Sequence, residues 1–143
     1  MEENIIVTPQ QRTAKIDLGG KEYEMLLTTE AVMQITEHFG GVDKVGEKLA
    51  NSKDLSEQVK DVLWLLTLLV NQGIRRSNLK RRLAGETFIA VKEFEEGDIG
   101  VLTDIGDLVR LKNDLIGAMM LGLNKNIESD VPEGAGDSKN AEA

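Results

Sequence analysis

His38, the only histidine of the chain, is the first residue to weigh for chemistry, since histidine can gain or lose a proton near neutral pH. Catalysis of the usual kind also needs a hydroxyl or thiol nucleophile that the histidine can activate. The chain has no cysteine and no Gly-x-Ser-x-Gly nucleophile elbow. His38 lies at the border of the apolar stripe of a predicted helix. We therefore expect a partly exposed surface histidine and no enzymatic activity.

Gly41 and Gly46 have the spacing of the two glycines in a phosphate-binding loop. Such a loop continues with a lysine, which neutralises phosphate, and a serine or threonine, whose hydroxyl binds magnesium. Glu47 and Lys48 follow here, so the required pair is missing. We interpret the glycines as helix-ending residues and predict no cofactor.

Carboxylates are dense between Glu95 and Asp107, at Glu95, Glu96, Asp98, Asp104 and Asp107, which raises the question of a calcium site. A helix–loop–helix calcium site needs alternating Asp or Asn ligands and a terminal glutamate, and this spacing lacks both. The missing cysteines also exclude cysteine-ligated zinc. We predict a solvated acidic turn and no metal.

A basic cluster is the best candidate for binding nucleic acid. Its members are Arg75, Arg76, Lys80, Arg81 and Arg82. If residues 74–83 are helical, these cations spread around the axis, whereas Leu79 and Leu83 share a face that can pin the segment to the body. A net charge of −8 and 3% aromatic residues favour neither phosphate binding nor base stacking. Nucleic-acid binding by a small regulatory protein therefore stays as the alternative function, and a protein is the expected partner.

A β-hairpin is predicted near the start of the chain. Apolar and polar residues alternate on either side of Gly19-Gly20, which can adopt the positive φ angles of a two-residue hairpin turn. Two strands are marginal alone, so their apolar face is expected to rest on helices. A helix capped by Thr28 or Thr29 should follow and end at Gly40-Gly41. Met33 is predicted to point away from the core.

The central element is a helix predicted from Asp54 to Gln72, ended by Gly73. Its residues 62–70 are all apolar except Thr67, so the helix should be covered on nearly every side. This stretch is far too short for a bilayer, which needs about 20 apolar residues. We predict a core helix around Trp64 and no membrane span.

The last predicted helix, Thr103 to Leu123, has an apolar face wider than a single packed neighbour should cover. Whether this face is exposed or buried stays open, and the adaptable methionines favour a binding role. The predicted partner-binding residues are Met33, Leu111, Met119, Met120 and Leu123.

The fold class expected from these elements is mainly α, in the α+β class. An N-terminal hairpin packs on a small bundle of about four to five helices, followed by a disordered C-terminal tail. Residues 1–13 are predicted to form a flexible arm, 14–124 a single domain and 125–143 a disordered acidic tail. The acidic start shows no signal-peptide pattern, so cytosolic synthesis is expected.

Two stretches carry a resemblance to a known family. They are GKEYEMLLTTEAVMQITEHFGG at 20–41 and DVLWLL at 61–66. With the order of elements over about residues 14–124, the chain resembles the tail assembly chaperones of long-tailed bacteriophages and prophages. It departs from that pattern in the dense basic segment at 75–82 and in the MMLGL sequence that ends the last helix.

The resemblance implies a non-enzymatic protein of the bacterial host cytoplasm, absent from the mature virion. Its implied partners are the tape measure protein, which it would bind and solubilise, and tail tube subunits, which it would help to recruit. Many such chaperones are also made in a longer, frameshifted form, which a protein sequence cannot reveal. The oligomeric state stays open, and a homo-oligomer is one of the possibilities.

Overall fold

The computed structural model describes residues 14–51 and 54–130, with the side chains of residues 118 and 120–130 excepted. The predicted flexible arm at 1–13 lies outside these residues. The elements, in chain order, are strands β1 (Ala14–Leu18) and β2 (Lys21–Met25) and helices α1 (Thr29–Phe39), α2 (Val45–Asn51), α3 (Leu55–Leu83), α4 (Asp98–Leu102) and α5 (Ile105–Asp130). A 3-10 turn, Val42–Lys44, precedes α2. The predicted fold class, a hairpin on a small helical bundle, is confirmed.

The hairpin forms where the alternating pattern predicts it. β1 and β2 pair antiparallel, from Ala14 opposite Met25 to Leu18 opposite Lys21. Gly19 and Gly20 join them with φ angles of 61° and 84°, which residues other than glycine adopt only at an energetic cost. Ile16, Leu18 and Met25 are buried, so one face of the hairpin belongs to the core.

Helix α1 begins and ends at the residues that its sequence predicts. The Thr28 hydroxyl accepts a hydrogen bond from the Ala31 amide at 3.1 Å and so caps the first turn. Gly40, with φ 91°, ends the helix, and its amide bonds the Thr36 carbonyl. Ile35 and Phe39 are buried. The helix is therefore fixed at both ends and along its inner face.

Helix α3 continues well past its predicted end at Gln72, so the interpretation of Gly73 as a helix stop is wrong. Gly73 is a buried interior residue of the helix. A Cβ atom built there would lie 2.4 Å from the carbonyl oxygen of Glu24, in β2. Glycine is needed at this position because the hairpin backbone crosses the helix there, as the Leu26 amide bonded to the Leu69 carbonyl at 3.1 Å also shows.

The chain leaves α3 through Gly85, and residues 86–94, which we call the strap, form neither helix nor strand. Helix α5 begins after a reciprocal cap, in which the Asp104 carboxylate accepts from the Asp107 amide at 2.8 Å and Asp107 accepts from the Asp104 amide at 3.2 Å. It extends to Asp130 and not to the predicted Leu123. The first residues assigned to a disordered tail are thus helical, while residues 131–143 lie outside the described part.

Candidate protein-interaction surfaces

The predicted partner-binding residues do not share one exposed face. Met33 is 62% exposed on α1, whereas Met119 on α5 is only 3% exposed, within the core. Leu111 is half-buried and packs against that core. Met120 and Leu123 lie in α5, but their side chains are outside the described set. The expectation that Met119 offers its side chain to a partner is therefore wrong.

The burial of Met119 has a simple helical cause. Leu108, Leu115 and Met119 recur at intervals of seven and four, so they lie on one side of α5, and all three are buried. Ile105 and Val109 occupy another part of the wide apolar face and are more than half exposed. One part of this face thus belongs to the core, and another part, at Ile105 and Val109, is accessible.

A groove of about 670 Å³ runs along α3 between α1 and residues 96–97. Leu63, Trp64 and Leu68 contribute its apolar floor. The His38 ring stacks on the Trp64 indole with centroids 3.9 Å apart and an interplanar angle of 10°. His38 Nε2 also lies 3.2 Å from Oδ1 of Asp61. The stacked pair fixes the indole in the groove, where it stays partly exposed.

A polar network closes one end of the groove. Gln72 is buried, and its amide nitrogen donates to the Glu30 carboxylate at 2.8 Å, while its amide oxygen accepts from the Thr28 hydroxyl at 2.5 Å. Arg75 joins Glu30 at 2.5 Å and binds both carboxylate oxygens of Glu93 at 2.7 and 2.9 Å. The network therefore ties α1, α3 and the strap together.

The protonation of two groups is set by this network. The hydrogen bond from Gln72, followed by the positive charge of Arg75, holds the pKa of Glu30 below its ordinary value. The bidentate contact with Glu93 raises the pKa of Arg75 further above its already high value. Glu30 is ionised at neutral pH, and Arg75 carries a charge already matched by two carboxylates.

Two asparagines of α3 hold the strap through its backbone. Asn71 donates to the Phe94 carbonyl at 2.8 Å and accepts from the Phe94 amide at 2.7 Å. Asn78 does the same for Val91, at 2.8 and 3.1 Å. Seven helical residues rise about 10.5 Å, close to the reach of three extended residues, about 10 Å. This match of lengths lets one helix face hold a strap with no partner strand.

The basic cluster is arranged differently from the prediction. Arg75 is neutralised by Glu30 and Glu93, and the Arg81 guanidinium lies 5.8 Å from the Phe88 ring centre. Leu79 and Leu83, expected to pin this segment to the body, are 40% and 73% exposed. Every residue from 79 to 87 is exposed, so this outer end of α3 projects from the bundle.

Large apolar side chains are exposed at this outer end. Leu79 and Leu83 on α3 and Ile89 and Val91 on the strap form a set that we call the outer patch. Ile89 is 92% exposed. Exposed single apolar residues are common, but four on one projecting segment, with cations beside them, form the kind of surface that marks a protein-interaction site. A second exposed group, Leu55, Ile105 and Val109, lies where α3 and α5 begin.

Comparison of the chain with protein-family models, with curated proteins and with solved structures finds no match. The described residues contain no group of three or more His, Cys, Asp or Glu side chains placed to hold a metal. None of the helices within 14–51 and 54–130 is long and apolar enough to cross a bilayer.

Sequence reasoning missed the groove and the strap, although both leave a signal. Some of the groove residues on α3, among them Glu57, Asp61, Trp64 and Leu68, lie four, three and four residues apart, and the two strap-binding asparagines are separated by seven. The all-apolar run at 62–70 masked the first signal, because it implied that every side of the helix is covered. The second signal, the two asparagines seven residues apart, was missed because the sequence does not show which residues they bind.

Proposed function

We propose that this chain is a non-enzymatic tail assembly chaperone of a phage or prophage, acting in the host cytoplasm. It binds and solubilises the tape measure protein and helps to recruit tail tube subunits. The main observation behind this proposal is the exposed outer patch. A chaperone for aggregation-prone helices needs exposed apolar contacts on a strongly charged exterior, and the chain has a net charge of −8. The family resemblance of residues 20–41 and 61–66 supplies the identity of the partners.

The test is co-expression of the full chain with the tape measure protein of the phage or prophage that encodes it. We expect the tape measure protein to become soluble and to co-purify with the wild-type chain. Leu83→Asp combined with Ile89→Asp should abolish this effect, because the charges fall on the outer patch. Both side chains are largely exposed, so the variant should melt close to the wild type.

Thr87→Asp is the matched control, since it places a charge on an exposed polar position of the same strap. It should leave co-purification intact. A tape measure protein that stays insoluble with the wild-type chain would refute the chaperone proposal. Equal activity of the double variant would show that the outer patch is not the binding surface.

The alternative, nucleic-acid binding, retains one supporting observation. Arg76, Lys80, Arg81 and Arg82 also lie on α3, and the last three are exposed at its C-terminal end. Their reversal to Glu should remove any binding of DNA or RNA in a gel-shift titration at two salt concentrations. Saturable, salt-sensitive binding that only this variant loses would favour the alternative over the chaperone.

A further inference from the structure

Ten residues of α3 line the groove, and a subset of them has the spacing of a helix–helix seam. This seam consists of Glu57, Asp61, Trp64 and Leu68, which lie four, three and four residues apart. Successive intervals of four and three are those of the positions that accept a partner helix in knobs-into-holes packing. Along the described bundle, α1 and residues 96–97 flank this seam without filling it. An uncovered seam of this spacing fits an α-helix better than an extended peptide.

The dimensions of the groove set the size of its occupant. Its volume of about 670 Å³ falls in the range of ligand-binding clefts, about 300–1,000 Å³. At a rise of about 1.5 Å per residue, the open part from Glu57 to Leu68 is about 17 Å long. Asn71 and Arg75 are engaged with the strap and close the far end. The groove therefore holds about three turns of a helix.

The charges around the groove select the chemistry of that helix. Glu57, Asp61 and Glu96 line it together with one lysine, Lys60. Arg75 also lines it, but its charge is exceeded by Glu30 and Glu93, which both bind it. With Glu30 and Glu93 included, five carboxylates lie in or beside the groove against two cations. Trp64 and Leu68 offer apolar contact. Complementary charge favours a cationic partner and suppresses an acidic one.

We propose that this groove binds a cationic amphipathic helix, with its apolar side on Trp64 and Leu68 and its cations toward the surrounding carboxylates. The inference rests on the proposed function, in that the helix belongs to the protein that the chaperone binds. It assigns the groove a role separate from that of the outer patch, because the exposed cations beside that patch suit an acidic surface instead.

Trp64 is the only tryptophan of the chain and lies in the groove, so its fluorescence reports directly on occupancy. The probe is a synthetic helix of about 18 residues without tryptophan, with leucines along one side and lysines on the flanks. The full chain should show a saturable change in emission on titration with this peptide. A peptide with glutamates in place of the lysines, and one with the leucines moved to alternate positions, should each bind far more weakly.

Two variants test the location. Thr67→Arg places a long side chain across the groove at a half-buried position and should abolish the saturable change. Glu57→Gln with Glu96→Gln should weaken binding about three- to tenfold, as expected for partly exposed charge pairs. Glu47→Gln with Glu86→Gln removes the same net charge outside the groove and should bind like the wild type. Melting curves for each variant check that the fold is intact.

Three results would overturn the inference. They are the absence of a saturable response to the lysine peptide, an equal response to the glutamate peptide, and unchanged binding by folded Thr67→Arg. A fourth, a drop in oligomeric state caused by Thr67→Arg, would show that a second copy of the chain fills the groove. If the chain binds the lysine peptide but leaves the tape measure protein insoluble, only the proposed function is refuted. Solubilisation by a wild-type chain that shows no saturable response to the lysine peptide would defeat the groove alone.

Discussion

Gly73→Ala should destabilise the protein, although the same change in an ordinary helix is favourable. Alanine in place of glycine inside a helix gains about 0.5–1 kcal/mol, because it limits the freedom of the unfolded chain. At Gly73, however, the new Cβ would lie 2.4 Å from the carbonyl oxygen and 3.1 Å from the carbonyl carbon of Glu24. These are backbone atoms, so no side-chain rotation relieves the contact, and β2 must move away from α3.

The size of the effect follows from what that movement disturbs. Inserting a methyl group into a packed site costs about 1–3 kcal/mol. The Leu26 amide bonds the Leu69 carbonyl at 3.1 Å beside this contact, and a weakened hydrogen bond adds about 1 kcal/mol. After subtraction of the helix-propensity gain, the free energy of unfolding should fall by about 1–3 kcal/mol. For a domain of this size the melting temperature should drop by about 3–5 °C per kcal/mol.

Thermal melting followed by circular dichroism measures this change, with Gly117→Ala as the matched control. Gly117 is an exposed interior residue of α5, and a Cβ there meets no atom within 4 Å. Gly117→Ala should therefore be neutral or stabilising. Hydrogen exchange at the Leu26 amide should quicken in Gly73→Ala and not in Gly117→Ala. If both variants melt at or above the wild-type temperature, the close crossing of β2 over α3 is refuted.

Two further predictions concern the strap and the polar network. Asn71→Ala should cost about 1–3 kcal/mol and speed proteolysis within residues 86–94, because the partly buried Phe94 amide and carbonyl both lose their partner. Asn78→Ala, at the exposed Val91 pair, should have a smaller effect, and Ser77→Ala should have none. Equal cleavage of all three variants would show that the asparagines do not hold the strap. Glu30, whose pKa is depressed below its ordinary 4.5, contributes stability that is complete above that value and lost as the pH falls through the folded pKa. The melting-temperature gap between the wild type and Glu30→Gln should therefore shrink from about pH 6 to about pH 3, whereas a constant gap would show that ionisation of Glu30 is irrelevant.

The local features of this fold were predictable because each depends on residues close together in the chain. Gly19-Gly20 determines the hairpin turn, and Thr28 determines the start of α1 through its own hydroxyl. Asp54 likewise accepts from the Ser56 amide at 3.0 Å and begins α3 where the sequence predicts it. These interactions span only a few residues, so spacing alone identifies them.

The misassigned end of α3 shows where such reasoning stops. Glycine serves both as a left-handed helix end and as a site of close backbone approach, and the sequence around Gly73 does not distinguish the two. The distinction depends on Glu24, 49 residues earlier, whose backbone crosses the helix. Only the packing of the hairpin on α3 decides which role the glycine has.

The interaction surfaces follow the same division. Residue types and helical spacing are enough to show that the apolar face of α5 is wider than one packed neighbour covers, and that residues 75–82 are strongly basic. The tertiary structure decided that Met119 faces the core, that Arg75 is neutralised, and that Leu83 and the groove beside Trp64 remain accessible. Periodicity fixes which residues share a face, because it is a property of the helix. Which face is covered depends on what other segments pack there, and those contacts join residues far apart in the chain.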